Sequence, residues 1–163
     1  NTTKSWYVNF KYGYSQYASA DTPYKVRCVR GTPLPDSIFV ETTASNGDVI
    51  VTDTVTGLIW QKTYVTNMWH WALYYCENLT YAGKSDWRLP NKNELITLIN
   101  YDRANPASDF PGIPTISPQQ YFWSSSTDVD NTVLPWYVFF TSGAVSSGVF
   151  NKTDGHISIR CVR

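Results

Sequence analysis

The chain has no excess of charge of either sign. Its 13 Lys and Arg stand against 13 Asp and Glu, for a formal net charge of zero and a pI of about 6.9. Nucleic-acid binders gather basic residues on one face, and that balance argues against one. Charge is also sparse at 16% of residues, whereas aromatics make up another 16%, with 7 Trp, 12 Tyr and 7 Phe. Disordered chains show the opposite bias, so the sequence reads as a folded domain with a largely uncharged polar surface. No apolar run approaches the roughly 18 residues of a membrane-spanning helix, and no transmembrane segment is expected. The opening NTTKSWYVNF lacks a basic stretch followed by an apolar one, so a signal peptide is expected to be absent or already removed. Cysteine and histidine are scarce, at three and two residues, and no CxxC pair occurs. A structural zinc site is not expected.

What is present in excess is internal similarity. Residues 6–10 read WYVNF and residues 136–140 read WYVFF, each followed three positions after its Phe by a glycine, Gly13 or Gly143. Each copy closes on RCVR, at 27–30 and 160–163, with a spacing from Trp to Cys three residues longer in the second. Insertions in a connecting loop cost little, so the difference does not weaken the match. Residues 1–31 therefore read as the C-terminal tail of a preceding repeat, and the remainder as a complete second one. GTPLPDS, with two prolines and a glycine, marks the join. The odd cysteine count fits this division. If Cys161 pairs with Cys76 in the complete module, Cys28 is the counterpart of Cys161 and its partner lies upstream. The alternative is a buried free thiol at Cys28.

After the join, IFVE is a short β-rich run, and VIVTD and LIWQK read as strands joined by a turn ending at Gly57. Trp69, Ala72, Leu73, Cys76 and Leu79 then follow helical spacing, with Cys76 on the apolar stripe. Asn67 is the expected N-cap and Gly83 the stop. A second helix is expected from Asn91, where Glu94 three residues on makes a capping-box pattern, with Leu95, Leu98 and Ile99 as its stripe. Residues 102–120 read as a long loop, and QYFWSSS, WYVFFTS, AVSSGVF and HISIRCVR as strands. Together these predict an α+β domain, two helices packed on short, mostly antiparallel strands.

TDTVTGLIWQK, the helix from Trp69 through Cys76, AGKSDWRLPNKNEL, FWSSS, WYVFF and RCVR together resemble the Lcl C-terminal domain family, named after a bacterial collagen-like surface protein. The resemblance covers about 49–163, and the DWRLP-x-x-x-EL block at 86–95 is its most specific part. Residues 32–48 are then a linker and first strand, and residues 1–31 resemble the tail of another copy. The resemblance implies an exported bacterial domain, secreted or at the cell surface, often repeated. It implies a C-type-lectin-like architecture shared with formylglycine-generating enzyme and with variable modules of diversity-generating retroelements. It further implies adhesion, with sulfated-glycan binding in the founding member. Two departures stand out. Met68 occupies the place of the family's usual Thr before the helix, and the zero net charge weakens any transfer of polyanion binding.

Most residue sets that invite a chemical reading have a plainer one. Asp86, Arg88 and Glu94 are able to bind a cation or sugar hydroxyls. They equally well fix turns and helix ends, with Arg88 or Arg160 neutralising a partly buried carboxylate; the structural reading is preferred. In WYVFF, Trp136, Val138 and Phe140 share one face and Tyr137 and Phe139 the other. The first copy places Asn9 where the second has Phe139, so that face is read as outward, with Tyr137 and Phe139 as ligand-stacking candidates. Asp128, Asp130 and Asn131 cluster oxygen donors without the Gly and distal Glu of an EF-hand. They stand as ligand-contact residues, and Asp128 and Asp130 as the only calcium candidates; no other cofactor is expected. Ser124–Ser126 lacks a nucleophile-elbow context. The cysteine pair that formylglycine-generating relatives use with copper has no counterpart here. The expected function is a non-enzymatic binding or adhesion module that meets a glycan or surface-protein ligand through loops and aromatics near 121–155. The alternative is a spacer or assembly module that touches neighbouring repeats of its own protein.

Overall fold

The computed structural model describes residues 3–32 and 35–163. Pro33 and Leu34, inside the expected join, lie outside the described residues. The chain is mostly β, and this overturns the expected α+β, C-type-lectin-like arrangement. Among the described residues ten strands form two sheets: β1 (Lys4–Asn9), β2 (Tyr14–Ser19), β3 (Phe39–Thr43), β4 (Val49–Asp53), β5 (Ile59–Gln61), β6 (Val65–Thr66), β7 (Tyr121–Thr127), β8 (Pro135–Phe139), β9 (Ala144–Ser146) and β10 (Ser158–Ile159). The seven-stranded sheet runs β1-β2-β9-β8-β7-β10-β6, and the three-stranded sheet runs β3-β4-β5. Only β10 against β7 is parallel, which makes the larger sheet mixed.

Two helices are present, and both are short: α1 (Trp69–Glu77) and α2 (Lys92–Ile96). Their brevity has local causes. The apolar stripe of α1 continues in sequence to Leu79, but Asn78 caps the helix by donating its side-chain amide to the Tyr74 carbonyl at 2.8 Å. Gly83 is therefore not the stop. Nor is Asn67 the N-cap. Met68 holds that position without a side-chain bond, and the Asn67 Oδ1 accepts from the Met68 N–H instead. In α2 the expected capping box is complete. Asn91 Oδ1 accepts from the Glu94 N–H at 3.0 Å, and Glu94 Oε2 accepts from the Asn91 N–H at 2.8 Å. Thr97 ends the helix by donating its hydroxyl to the Glu94 carbonyl, and Leu98 and Ile99 continue as tighter turns.

Strand parity divides the core in two. Phe122, Val138, Phe140 and Val145 face α2 and the small sheet, burying Leu95, Leu98, Phe110, Val51 and Trp60. Trp123 and Tyr137 face the other way, against Trp69, Ala72 and Cys76 of α1, Trp87, Ile157 and Ile159. Each fully buried large apolar side chain contributes about 1.5–3 kcal/mol by leaving water. The expected packing residues Trp136, Val138 and Phe140 are all buried.

The two sequence-distinctive blocks meet. Val162 exchanges backbone hydrogen bonds with Arg88, both at 2.9 Å, and bridges Trp60 on its other side. RCVR thus lies between β5 and the DWRLP segment, and Cys161 reaches α1 as the disulfide Cys76–Cys161. Cys28 is free and exposed, so the buried-thiol alternative does not describe it.

Candidate functional site

The site begins with the parity of β7, β8 and β9. Tyr121 stands opposite Phe139, and Phe139 opposite Ala144. The antiparallel register set by Ser15 and Val145 carries this row on to Gln16, and Gln16 stands opposite Tyr7. One transverse row of the seven-stranded sheet therefore presents Tyr121, Phe139, Ala144, Gln16 and Tyr7 on the face turned away from α2. Tyr121 and Phe139 stack at 4.1 Å with planes 9° apart, and Phe150 closes edge-on against Tyr121 at 4.8 Å. At the far end Tyr7 stacks on Tyr24 at 4.7 Å and donates its hydroxyl to Gln16 Oε1 at 3.2 Å. Hydrogen bonding with Tyr14, then burial and the neighbouring phenols, push the Tyr7 pKa up to about 12, so it stays a neutral donor.

Tyr121, Phe139, Phe150 and Tyr7 are half-buried, each with part of its ring open to solvent. Tyr137 is not: only 4% of it is exposed, within the core under α1. The expectation that Tyr137 meets a ligand is corrected, because Tyr137 packs with α1 and Phe150 in the core, whereas Phe139 stacks on Tyr121 and stays half-exposed. Burial raises the Tyr137 pKa, which a bond with Ser146 partly offsets.

The charged trio resolves into structural pairs. Arg88 grips Glu94 with both terminal nitrogens, at 2.7 and 2.6 Å. Asp86 pairs with Arg163 at 2.8 Å. Of the two arginines expected to neutralise a partly buried carboxylate, Arg88 does so, and Arg160 pairs with none among the described residues. Its guanidinium donates to the Gly112 and Pro111 carbonyls at 2.7 and 3.5 Å and lies over the rings of Phe110 and Phe122.

In the 128–132 loop, Asp128 accepts from Ser147 Oγ at 2.6 Å and from the Asp130 N–H at 2.9 Å, and Asn131 accepts from the Val133 N–H. The Ser147 bond, reinforced by the Asp130 N–H, holds the Asp128 carboxyl below the usual carboxylate range. Asp128 Oδ1 and Asn131 Oδ1 thus hold the loop's own backbone, and Asp128 Oδ2 ties the loop to Ser147. Among the described residues no group of three or more His, Cys, Asp or Glu is placed to hold a metal ion. Ser124 is buried and donates to the Trp136 carbonyl, and Ser126 accepts from the Lys92 N–H. His156 packs edge-on against Phe150 and His70 against Trp69.

An open cavity of about 260 Å³ lies between the start of β3 and the exit of α2, lined by Asp36, Phe39, Asn100, Tyr101 and Asp109 among others. Its Asp109 is already bound to Asn100 and Arg103, which lower its pKa.

The DWRLP and RCVR blocks thus pair as one structural unit, and their region coincides with a family model matched over residues 49–163. The chain belongs to the Lcl C-terminal domain family. The Lcl match begins at Val49, the first residue of β4, so β3 and the β1–β2 hairpin precede it yet pair with its strands. The family is one of bacterial surface proteins, and no helix among the described residues is long and apolar enough to cross a membrane. No curated protein and no solved structure matches the chain.

Sequence reasoning found Phe139 through the Asn9 comparison but missed Tyr121, Phe150, Tyr7 and Tyr24. Tyr121 opens a run of three aromatics, YFW, in which composition hides which ring faces out. Tyr24 and Phe150 lie outside strands and carry no periodic signal at all.

Proposed function

We propose that this Lcl domain is a non-catalytic, exported binding module that takes a glycan on the aromatic row of its large sheet. The supporting observation is the stacked, half-open pair Tyr121 and Phe139, flanked by Phe150, Ala144 and Gln16. A flat aromatic face accepts the C–H side of a sugar ring, and neighbouring amide and hydroxyl groups orient its polar edge. Nothing in the packing of the core requires Phe139, since the first repeat has Asn9 at the equivalent position. Zero net charge favours a neutral ligand over a polyanion. Weak affinity at one module becomes useful when modules are repeated.

A glycan array followed by titration of the best neutral hits tests this reading. Phe139→Ser is expected to weaken binding by about two- to tenfold, the equivalent of the 0.5–1.5 kcal/mol an aromatic stack supplies, with the chain still folded by circular dichroism. Full affinity in that variant, or binding only to sulfated chains, would count against it.

A further inference from the structure

The N-terminal hairpin and the β8–β9 hairpin are structural copies. Asn9 pairs with Tyr14 as Phe139 pairs with Ala144. The turns match as well: the Gly13 N–H reaches the Asn9 carbonyl at 2.7 Å, and the Gly143 N–H reaches the Phe139 carbonyl at 2.8 Å. Both glycines are left-handed, with φ of +70° and +78°. One constant separation in sequence relates Trp6 to Trp136, Gly13 to Gly143 and Ser15 to Val145.

The hairpins also pair with each other. β2 lies antiparallel to β9, and the residues that face one another there are Ser15 and Val145, which are themselves equivalent. When equivalent residues meet across an antiparallel junction, a local two-fold axis passes between them. That is the mark of an isologous, self-complementary contact. The surroundings follow the same pattern. Gly13 lies against the Trp136 ring, where an added Cβ would stand 3.9 Å away, and Lys92 Nζ spans both, donating to the Gly13 carbonyl at 3.1 Å and lying 4.0 Å over Trp136. Across the axis Gly143 lies against Tyr101, and Tyr101 packs on Trp6 at 4.7 Å.

We infer that β9 is the edge through which repeats of this module dock on one another, β9 against β9 about a two-fold axis, and that residues 4–19 fill the place of a neighbouring repeat's β8–β9 hairpin. The partner is thus a chain segment carrying the same Trp-x-Val hairpin with its left-handed glycine. An exposed strand edge is a hazard unless covered, and a self-complementary edge is covered by its own copy. This inference does not rest on the glycan reading, since it uses the backbone pairing of β2 with β9 and not the stacked rings, although Ala144 and Gln16 of the row lie at that junction.

Two experiments on the full chain, both with Cys28→Ser, test it. In the first, residues 4–19 are replaced by the sequence of residues 134–149. The grafted hairpin is expected to dock, keeping one cooperative melting transition and slow amide exchange in β9. Fast exchange throughout β9 in the grafted chain would overturn the proposal. In the second, Ser15→Pro removes a ladder N–H and releases β9. One pool also carries Ala144→Cys, a second pool Ser146→Cys. With the axis at residue 145, position 144 of one copy faces position 146 of the other. A disulfide dimer is expected in the oxidised mixture and in neither pool alone. Monomers throughout, or equal cross-linking within each pool, would overturn the proposal. Should Ser15→Pro prevent folding by circular dichroism, the graft decides.

Discussion

The guanidinium of Arg160 is held by two carbonyls and two aromatic faces, with its Nε unpaired and no carboxylate beside it. Burial lowers its pKa to about 9, which still leaves it charged at neutral pH. A planar, weakly hydrated cation suits such a slot, and an ammonium does not. Arg160→Lys is therefore expected to cost about 2–4 kcal/mol in urea unfolding, and Arg160→Met less, because Met brings no charge to desolvate. A Lys variant more stable than the Met variant would refute this account. Arg88 and Glu94 make the opposite case, a half-exposed pair. Burial pulls the Glu94 carboxyl up, but Arg88 and the Asn91 N–H outweigh it and hold the pKa below its ordinary 4.5. A depressed carboxylate stabilises the fold above about pH 4.5 and ceases to do so as pH falls through its folded pKa. Arg88→Met is accordingly expected to cost about 0.5–1 kcal/mol at pH 7, and the difference from wild type should close toward pH 3, as chemical unfolding at each pH would show. Arg88 and Glu94 lie six residues apart within one motif, whereas the Asp86–Arg163 pair was not legible, because segments far apart in the chain must first be brought together.

Short elements dominate this fold because local signals cut them short. Asn78 and Thr97 are side chains that bond back onto the preceding turn, and each ends a helix whose apolar pattern continues beyond it. The strands are short as well, and β10 is held in place by a disulfide just beyond its end. Cys76 and Cys161 are separated by 85 positions. Closing a loop of that size stabilises by about 3–5 kcal/mol in the chain-entropy view. Reduction of the disulfide is expected to lower the melting temperature by about 6–20 °C for a chain of this size. Calorimetry with and without reductant checks it; an unchanged transition with the bond demonstrably reduced would refute it. The helical position of Cys76 was readable from period alone, whereas the expected strand through Cys161 ends at Ile159 and leaves Cys161 just beyond it. The β-rich whole was not, because a two-residue strand such as Ser158–Ile159 carries too little pattern to be counted before its partners are known.

The hairpin formed by β1 and β2 joins the rest of the molecule through the junction at Ser15 and Val145, Lys92 on the Gly13 carbonyl, Trp6 and Ser15 on Tyr101, and Tyr14 against the core. Many of its side chains remain exposed, Val8 and Phe10 among them. Amide exchange over residues 3–19 is expected to report opening at a lower free energy than exchange in β7 and β8. Tyr101→Ala should speed exchange in the hairpin by about tenfold, the loss of one aromatic contact, while leaving β7 unchanged. Uniform exchange across both regions would show instead that the hairpin belongs to the cooperative core.

The sequence by itself determined the likeness of WYVNF to WYVFF, the family through DWRLP and RCVR, the parity that buries Trp136, Val138 and Phe140, and the capping box at Asn91. Each of these depends on neighbours within a few residues or on direct comparison of two segments. Tertiary structure alone decided that α1 covers Tyr137 and leaves Phe139 open, that Arg160 lies between rings, and that Ser15 faces Val145. Those outcomes depend on which faces of distant segments are pressed together, and burial on that scale is a property of the assembled sheet.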